Sequence, residues 1–149
     1  KVCFVKKNST GFNLKLDKRN GRNLEGKQTK GPYNENDFDI LRVHLLCKVD
    51  DLGKVSFKRE NYNIEYNGKN YEKAINHIKS YKLFGYWDIP MHKLISENYV
   101  STKNQEGKQA LHTFLPEEVA NSINHELPKR ILKDTPIWTR EYFHKVYKN

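Results

Sequence analysis

The chain has 149 residues, of which 27 are lysine or arginine and 18 are acidic, so its formal net charge is +9. This length favours one domain with its own hydrophobic core, and an aromatic content of 12% argues against an unstructured chain. No apolar run reaches the length of a membrane span and nothing resembles a signal peptide, so we expect no membrane partner. The sequence begins without Met, which is typical of a fragment or a processed product of a longer protein.

The positive charge is concentrated near the start of the chain. Residues 1–31 contain nine lysines and arginines against two acids, so this fifth of the chain carries most of the excess. Concentrated positive charge attracts phosphate backbones. An acidic membrane surface is the competing partner, but the segment lacks the amphipathic basic helix that such a surface favours.

The first half of the sequence predicts strands. Val2–Lys6 is rich in β-branched and aromatic residues, and Phe12–Leu16 alternates apolar with polar residues. Asp17–Asn36 contains three glycines, one proline and four asparagines, which predicts a long basic loop. Phe38–Val49 is the strongest strand pattern in the chain, and its nearly continuous apolarity predicts a central strand of a sheet.

The middle of the chain alternates between turns and short elements. The turn Asp50–Gly53 predicts a hairpin with the strand that follows it, and Asn67-Gly68 predicts a second hairpin. Tyr71–Phe84 has apolar residues at helical spacing. Gly85–Pro90 is expected to be a short strand, and Met91–Ser96 one or two helical turns.

The last third predicts a polar, mobile segment over residues 97–113 and then two helices. The first helix begins near Pro116 with two acids in its first turn, and the second begins near Pro136. Trp138 and Tyr142 share a face of the second helix, where they would pack against the sheet. The predicted class is α+β (mixed α/β), with a central mixed β-sheet flanked by helices. We expect a core over residues 1–98 and a helical extension over residues 99–149.

The two cysteines, Cys3 and Cys47, lie in apolar contexts and belong to no CxxC pair. Their surroundings predict reduced core residues of an intracellular, cytoplasmic protein. A single disulfide between them is the alternative.

The order of these segments resembles the second half of the PD-(D/E)xK nuclease core, as found in restriction endonucleases. The resemblance covers residues 1–96 and depends on Phe4-Val5-Lys6, the basic loop Asp17–Asn36, the strand that begins Asp37-Phe38-Asp39-Ile40, and Trp87-Asp88-Ile89-Pro90. It implies a restriction-endonuclease-like fold that cleaves double-stranded DNA with Mg²⁺ as cofactor. On this resemblance Lys6 is the catalytic lysine that assists the attacking water, with Lys7 as the alternative if the alignment shifts by one residue.

One position departs from the family pattern. The family has an acid or glutamine two residues before the lysine, whereas this chain has Phe4. Carboxylates hold the Mg²⁺ that activates water in this class, and a lysine cannot replace them. Either the carboxylates lie upstream of residue 1, or the alignment is wrong, or this protein binds DNA without cutting it.

The basic loop is the predicted nucleic-acid contact. Arginine and lysine attract phosphates, and arginine, glutamine and asparagine can also contact base edges. A solvated loop without a ligand is the alternative. The predicted nucleic-acid-binding residues are Lys18, Arg19, Arg22, Lys27, Gln28 and Lys30.

Other candidate sites are weaker. Asp37 and Asp39 share a face of an alternating strand and could ligate one metal ion, but a turn position for Asp37 is the stronger prediction. The six histidines have no metal-ligand spacing, and the Gly26-Lys27-Gln28 segment lacks the hydroxyl residue of a P-loop.

The leading prediction is therefore a Mg²⁺-dependent, restriction-type endonuclease that acts on double-stranded DNA. A homodimer is plausible because palindromic sites are matched by two-fold symmetric proteins. Two alternatives stay open: a nucleic-acid-binding module without catalysis on a degenerate nuclease fold, and a protein-interaction domain with an incidentally basic loop.

Overall fold

A computed structural model describes residues 2–3, 10–58, 76–77 and 79–148 of the chain. Most of its regular structure is β-strand, with a few short helices between and after the strands. In chain order the strands are β1 (Val2–Cys3), β2 (Phe12–Lys15), β3 (Asp17–Arg22), β4 (Gln28–Pro32), β5 (Ile40–Val49), β6 (Val55–Ser56), β7 (Lys82–Pro90), β8 (Ala110–Thr113) and β9 (Phe143–Lys145). The helices are α1 (Met91–Ser96), α2 (Glu117–Ser122) and a 3₁₀ helix (Ile137–Tyr142).

The main sheet has the strand order β1-β5-β7-β9, and β6 forms a hairpin with β5. β1 runs parallel to β5, whereas β7 is antiparallel to both of its neighbours. The sheet is therefore mixed, as the sequence predicts, and β5 is a central strand with partners on both sides. The hairpin at Asp50–Gly53 is also confirmed, because the carboxylate of Asp50 accepts the backbone N–H groups of Leu52 and Lys54.

The alternation of β5 places one row of side chains in the core. Leu41, Val43, Leu45 and Cys47 are all buried, and the residues between them lie on the other face. β7 supplies Trp87 at the centre of the same core, and its indole N–H donates to the carbonyl of Phe114 at 3.0 Å. Cys47 is a free thiol, and burial raises its pKa.

A second, two-stranded sheet is formed by β2 and β8, which pair antiparallel from Phe12↔Thr113 to Lys15↔Ala110. Its inward residues, including Phe12 and Leu111, are fully buried and belong to the same core as β5 and β7. The region 97–113, predicted to be polar and mobile, therefore contributes a strand and buried residues. Tyr99 and Val100 in that region are buried as well.

The last predicted helix is only partly correct. The chain forms the 3₁₀ helix and then extends into β9, where Phe143 pairs with Trp87. Trp138 and Tyr142 do pack against the core, with their rings 6.1 Å apart. Residues 99–149, predicted to be a helical extension, thus contain two strands that pair with strands of the first 98 residues, β8 with β2 and β9 with β7.

Two further predictions concern residues 50–90. The hairpin around Asn67-Gly68 lies outside the described residues. The helix predicted over Tyr71–Phe84 is too long, because β7 already begins at Lys82; Asn76, His77 and Lys79 are helical. The short strand and helix predicted over residues 85–96 are confirmed, with the strand beginning three residues earlier.

The observed mixture of sheets and short helices is an α+β fold, as predicted. Among the described residues, no helix is both long and apolar enough to cross a membrane.

Candidate nucleic-acid interface

The basic segment predicted to be a loop is a β-hairpin. β3 and β4 pair antiparallel, and a tight turn joins them at residues 23–27. Asn23 organises this turn, because its side-chain oxygen accepts the backbone N–H groups of Glu25 (3.0 Å) and Lys27 (2.9 Å). Gly26 adopts a left-handed conformation with φ +77°, which glycine reaches without steric cost. The cationic residues are therefore displayed on a defined two-stranded ribbon.

A bulge in β3 determines which way the arginines face. Arg19 pairs with Lys30, but the next pair is Arg22 with Gln28, so three steps on β3 match two on β4. Residues three apart on a regular strand face opposite sides, whereas the extra residue of a bulge shifts that alternation by one. Gly21, with φ +87°, lies within the bulge and supplies the left-handed backbone that it needs. Arg22 is thereby turned to the same side as Arg19.

The consequence is one cationic face on the hairpin. Cross-strand pairs lie on one side of a ribbon, and so do residues two apart on one strand. This places Arg19, Arg22, Gln28 and Lys30 together, and all four are exposed to solvent. We call these four residues the ribbon face. Within the part of the chain that the structure describes, no acidic side chain forms a salt bridge with the three cations of this face.

The opposite side of the hairpin holds it against the rest of the molecule. Lys18 donates to the carboxylate of Asp37 at 2.7 Å, and the same oxygen of Asp37 accepts the backbone N–H of Asn34 at 2.8 Å. These two hydrogen bonds lower the pKa of Asp37. The charge of Lys18 is thus neutralised, and of the predicted contact residues it is the one that anchors the hairpin.

Both ends of the hairpin are fixed by backbone hydrogen bonds to the C-terminal half of the chain. The N–H of Leu16 donates to the carbonyl of Gln109 at 2.9 Å, and the carbonyl of Tyr33 accepts from Ser101 at 2.7 Å. Leu16 is also buried in the core. Both ends of the hairpin are therefore anchored to the rest of the fold.

Lys27 and Gln28 have local partners. Lys27, in the turn, lies 3.8 Å from the carboxylate of Glu25, and both side chains are largely exposed. The amide of Gln28 donates to the carbonyl of Gly21 at 2.7 Å and so stabilises the bulge. The guanidinium of Arg22 donates to the carbonyl of Gly26 at 2.8 Å, which holds it near the turn with its other N–H groups available.

The residues predicted for catalysis and metal binding lie partly outside the described part of the chain. Lys6 and its alternative Lys7 lie outside the described residues. Among the residues that are described, no three His, Cys, Asp or Glu side chains come together as a metal ion would require. Asp37 is engaged by Lys18 and Asn34 at a turn, the role that the sequence favours for it over metal binding. These described residues do not fit a Mg²⁺ site.

A second polar cluster covers the outer face of the main sheet. Arg42 forms a bidentate ion pair with Asp88, in which both N···O distances are 2.7 Å. The guanidinium of Arg42 also lies 4.4 Å from the centre of the Tyr86 ring. His144 also stacks on this tyrosine, with the ring centres 5.0 Å apart. The ion pair with Arg42 lowers the pKa of Asp88. Arg42 and Asp88 face each other across β5 and β7, so they hold the two strands in register.

The structural roles of three residues in the basic segment differ from those that the sequence predicts. Asn23 is predicted to contact nucleic acid, and Gly21 and Gly26 to allow either flexibility or the close approach of a ligand. In the structure Gly21 lies in the bulge, and Asn23 and Gly26 form the turn. The sequence does contain a signal for this hairpin. Two short turn-forming segments, Asn20-Gly21 and Glu25-Gly26, lie between two stretches of similar length that become β3 and β4.

The whole described fold, an α+β domain with a mixed sheet, has a counterpart among solved structures. The structure titled "Crystal Structure of MepB" matches with a TM-score of 0.50 over 99% of this chain and 70% of that chain, at 13% sequence identity. At this identity the likeness concerns the fold alone. No protein-family model and no curated protein sequence matches the chain.

Proposed function

We propose that this protein binds double-stranded DNA through the ribbon face of its β3–β4 hairpin. The observation that carries the proposal is the bulge, which gathers Arg19, Arg22 and Lys30 on one exposed side without an acidic partner among the described residues. Unpaired, exposed cations in a row attract the phosphates that flank a groove. A turn and a bulge that fix their positions reduce the ordering cost of binding.

The shape of the ribbon favours duplex DNA over duplex RNA. The major groove of B-DNA is about 12 Å wide and admits a two-stranded β-ribbon. The major groove of A-form RNA is deep and too narrow for side chains to reach the bases. The arginines of the same face can also donate to base edges, so the face has both phosphate-attracting and base-contacting groups.

The first experiment measures the affinity of the wild-type protein for a 20-base-pair duplex as a function of salt. Each phosphate contact contributes about −0.9 to the slope of log K against log salt. The three cations of the ribbon face together with the exposed Lys27 of the turn therefore predict a slope of about −3.6. Between 50 and 200 mM salt that slope amounts to a loss of affinity of about 100-fold. A salt-independent result, or no binding, would favour the protein-interaction alternative.

A matched pair of triple variants then locates the contact. Arg19→Ala/Arg22→Ala/Lys30→Ala removes the cations of the ribbon face, and we expect the slope to become shallower by about 2.7. Lys129→Ala/Arg130→Ala/Lys133→Ala removes the same charge from a segment outside the hairpin, where all three side chains are exposed. Equal effects of the two variants would mean that net charge, and not the ribbon face, determines binding.

Cleavage is a further proposal and depends on the resemblance to PD-(D/E)xK nucleases. It predicts that plasmid DNA is nicked in the presence of Mg²⁺ and that a chelator or Lys6→Ala abolishes the nicking. If cleavage is absent while salt-dependent binding persists, the non-catalytic binding module is the correct alternative. A homodimer on palindromic DNA also stays a prediction, which the mass of the protein–DNA complex would test.

A further inference from the structure

The apex of the hairpin carries an apolar side chain. Leu24 is fully exposed at the turn between β3 and β4. The hydrogen bonds of Asn23 to Glu25 and Lys27 fix the turn on which it is displayed. An exposed leucine is therefore held at the outermost point of a ribbon whose sides carry positive charge.

Single exposed leucines are common on protein surfaces, so exposure alone has no meaning for function. Leu52 shows the contrast within this chain, because it is also almost fully exposed at a hairpin turn, between β5 and β6. Leu52 directly follows Asp50 and Asp51, whose charge repels phosphates. Leu24 lies instead between Arg22 and Lys27, at the part of the surface that the proposed function brings closest to DNA.

We propose that Leu24 inserts between two base pairs of the bound duplex, unstacks them and bends the DNA. This inference rests on the proposed function and adds the deformation of the duplex to it. Proteins that bind the minor groove frequently insert an apolar wedge between base steps, and the resulting bend brings more of the DNA against the protein. The inference extends this wedge to an apolar side chain at the apex of a ribbon that lies in the major groove. Leucine is a suitable wedge because it has no polar group to desolvate.

The chemistry of the base step predicts where insertion occurs. Pyrimidine–purine steps such as TA unstack most easily, whereas A-tracts are stiff. A mismatch has already lost part of its pairing and stacking, so it lowers the cost of insertion. We therefore expect tighter binding to duplexes with a central TA step or a central mismatch than to an A-tract duplex of the same length.

An anionic membrane is the other surface that attracts cations and apolar side chains together. One leucine provides little apolar area for membrane insertion, and its neighbour Glu25 is an acid that anionic lipids repel. The hairpin has no further exposed apolar residue beside Leu24, since the ribbon face is polar. The observations therefore favour a base step over a lipid surface.

The test uses duplexes that contain 2-aminopurine at a central TA step, because this base fluoresces more strongly when it is unstacked. We expect the wild-type protein to raise the fluorescence, and Leu24→Ala to bind without doing so. Loss of the leucine side chain, which the bound duplex would bury between its base pairs, should weaken binding about tenfold. It should also remove the preference for a mismatch, while the salt slope is unchanged. Leu52→Ala is the matched control and should behave as the wild type.

Each outcome decides between the proposals. If the wild-type protein binds with the expected salt slope but fluorescence and mismatch preference are the same in Leu24→Ala, insertion is refuted and DNA binding stands. If no salt-dependent binding to duplex occurs, the proposed function fails and the insertion fails with it. If Leu24→Ala weakens binding to phosphatidylserine vesicles and leaves duplex binding unaffected, the leucine acts at a membrane and the inference is wrong.

Discussion

Gly21→Ala tests whether the bulge creates the ribbon face. Gly21 has φ +87°, and an added Cβ would meet no other atom within 4 Å, so the substitution introduces backbone strain and no clash. A left-handed conformation costs a residue with a Cβ about 1–2 kcal/mol. We expect this strain to favour a regular ribbon without the bulge, in which Arg22 turns to the side opposite Arg19.

The expected result is a specific loss of one phosphate contact. The slope of log K against log salt should become shallower by about 0.9, which is the contribution of one cation. Salt titrations of duplex binding, followed by fluorescence anisotropy, measure this difference. Arg22→Ala in the Gly21→Ala background should add little, because the arginine has already left the face.

Gly53→Ala is the matched control for strain. Gly53 has φ +77° in the β5–β6 turn and likewise has open space around its Cβ position. Both variants should lower stability by a similar amount, as measured by urea unfolding, but only Gly21→Ala should change DNA binding. If both variants bind DNA as the wild type does, the geometric account of the bulge is refuted.

Three further predictions concern the turn and the core. Glu25→Gln removes the acid beside Lys27 at the hairpin apex, so the affinity for duplex should rise a few-fold at low salt and less at high salt, in the same anisotropy titration. Thr139→Val removes the buried hydroxyl that accepts the N–H of Phe114 at 2.9 Å, so urea unfolding should show a loss of about 1–3 kcal/mol. Thr102→Val should show a smaller loss, because Thr102 is only half-buried and its hydroxyl accepts a longer hydrogen bond of 3.3 Å from Asn104. Burial lowers the pKa of His125, so the folded state binds its proton less readily than the unfolded state does. The free energy of unfolding should therefore be highest above about pH 6.5 and should fall as the pH decreases below that value. His125→Gln should make this pH profile flatter.

The two central strands of the main sheet, β5 and β7, could be predicted because their signals are local. β5 alternates buried and outward residues over ten positions, and its period of two is visible in Leu41, Val43 and Leu45. β7 ends at Pro90 and is followed directly by a helix, which the proline and the change of pattern both indicate. Such segments form the same secondary structure in most surroundings, so the sequence alone is enough to predict them.

The hairpin could not be predicted from strand propensity. β3 has the sequence Asp-Lys-Arg-Asn-Gly-Arg, without a β-branched or aromatic residue, and β4 has only Thr29. Its structure depends on the side chain of Asn23, on the left-handed glycines and on the cross-strand pairs. The cross-strand pairs join residues as far apart along the chain as Asp17 and Pro32, and composition alone indicates only a loop.

β9 illustrates the same limit in the core. The segment after Pro136 has the apolar spacing of a helix, and the 3₁₀ helix begins there. Phe143 then packs against Trp87, with ring centres 5.0 Å apart, and pairs with β7. The edge of β7 and the ring of Trp87 are available only in the folded protein, so tertiary pairing overrides the local helical pattern.

The separation of the hairpin from the core makes the functional proposal testable without loss of the fold. The buried core cluster contains no residue of β3 or β4, and the cations of the ribbon face have no ion-pair partner among the described residues. Surface substitutions away from core and capping contacts usually change stability by less than about 0.5 kcal/mol. Lys18 is the exception, since its bond to Asp37 joins the hairpin to the rest of the molecule. If Arg19→Ala weakens DNA binding and leaves the unfolding curve unchanged, the loss therefore reports a lost contact with DNA. If Lys18→Ala weakens binding, the loss has two causes that cannot be separated: a lost contact with DNA, and a hairpin that is no longer held in place by Asp37.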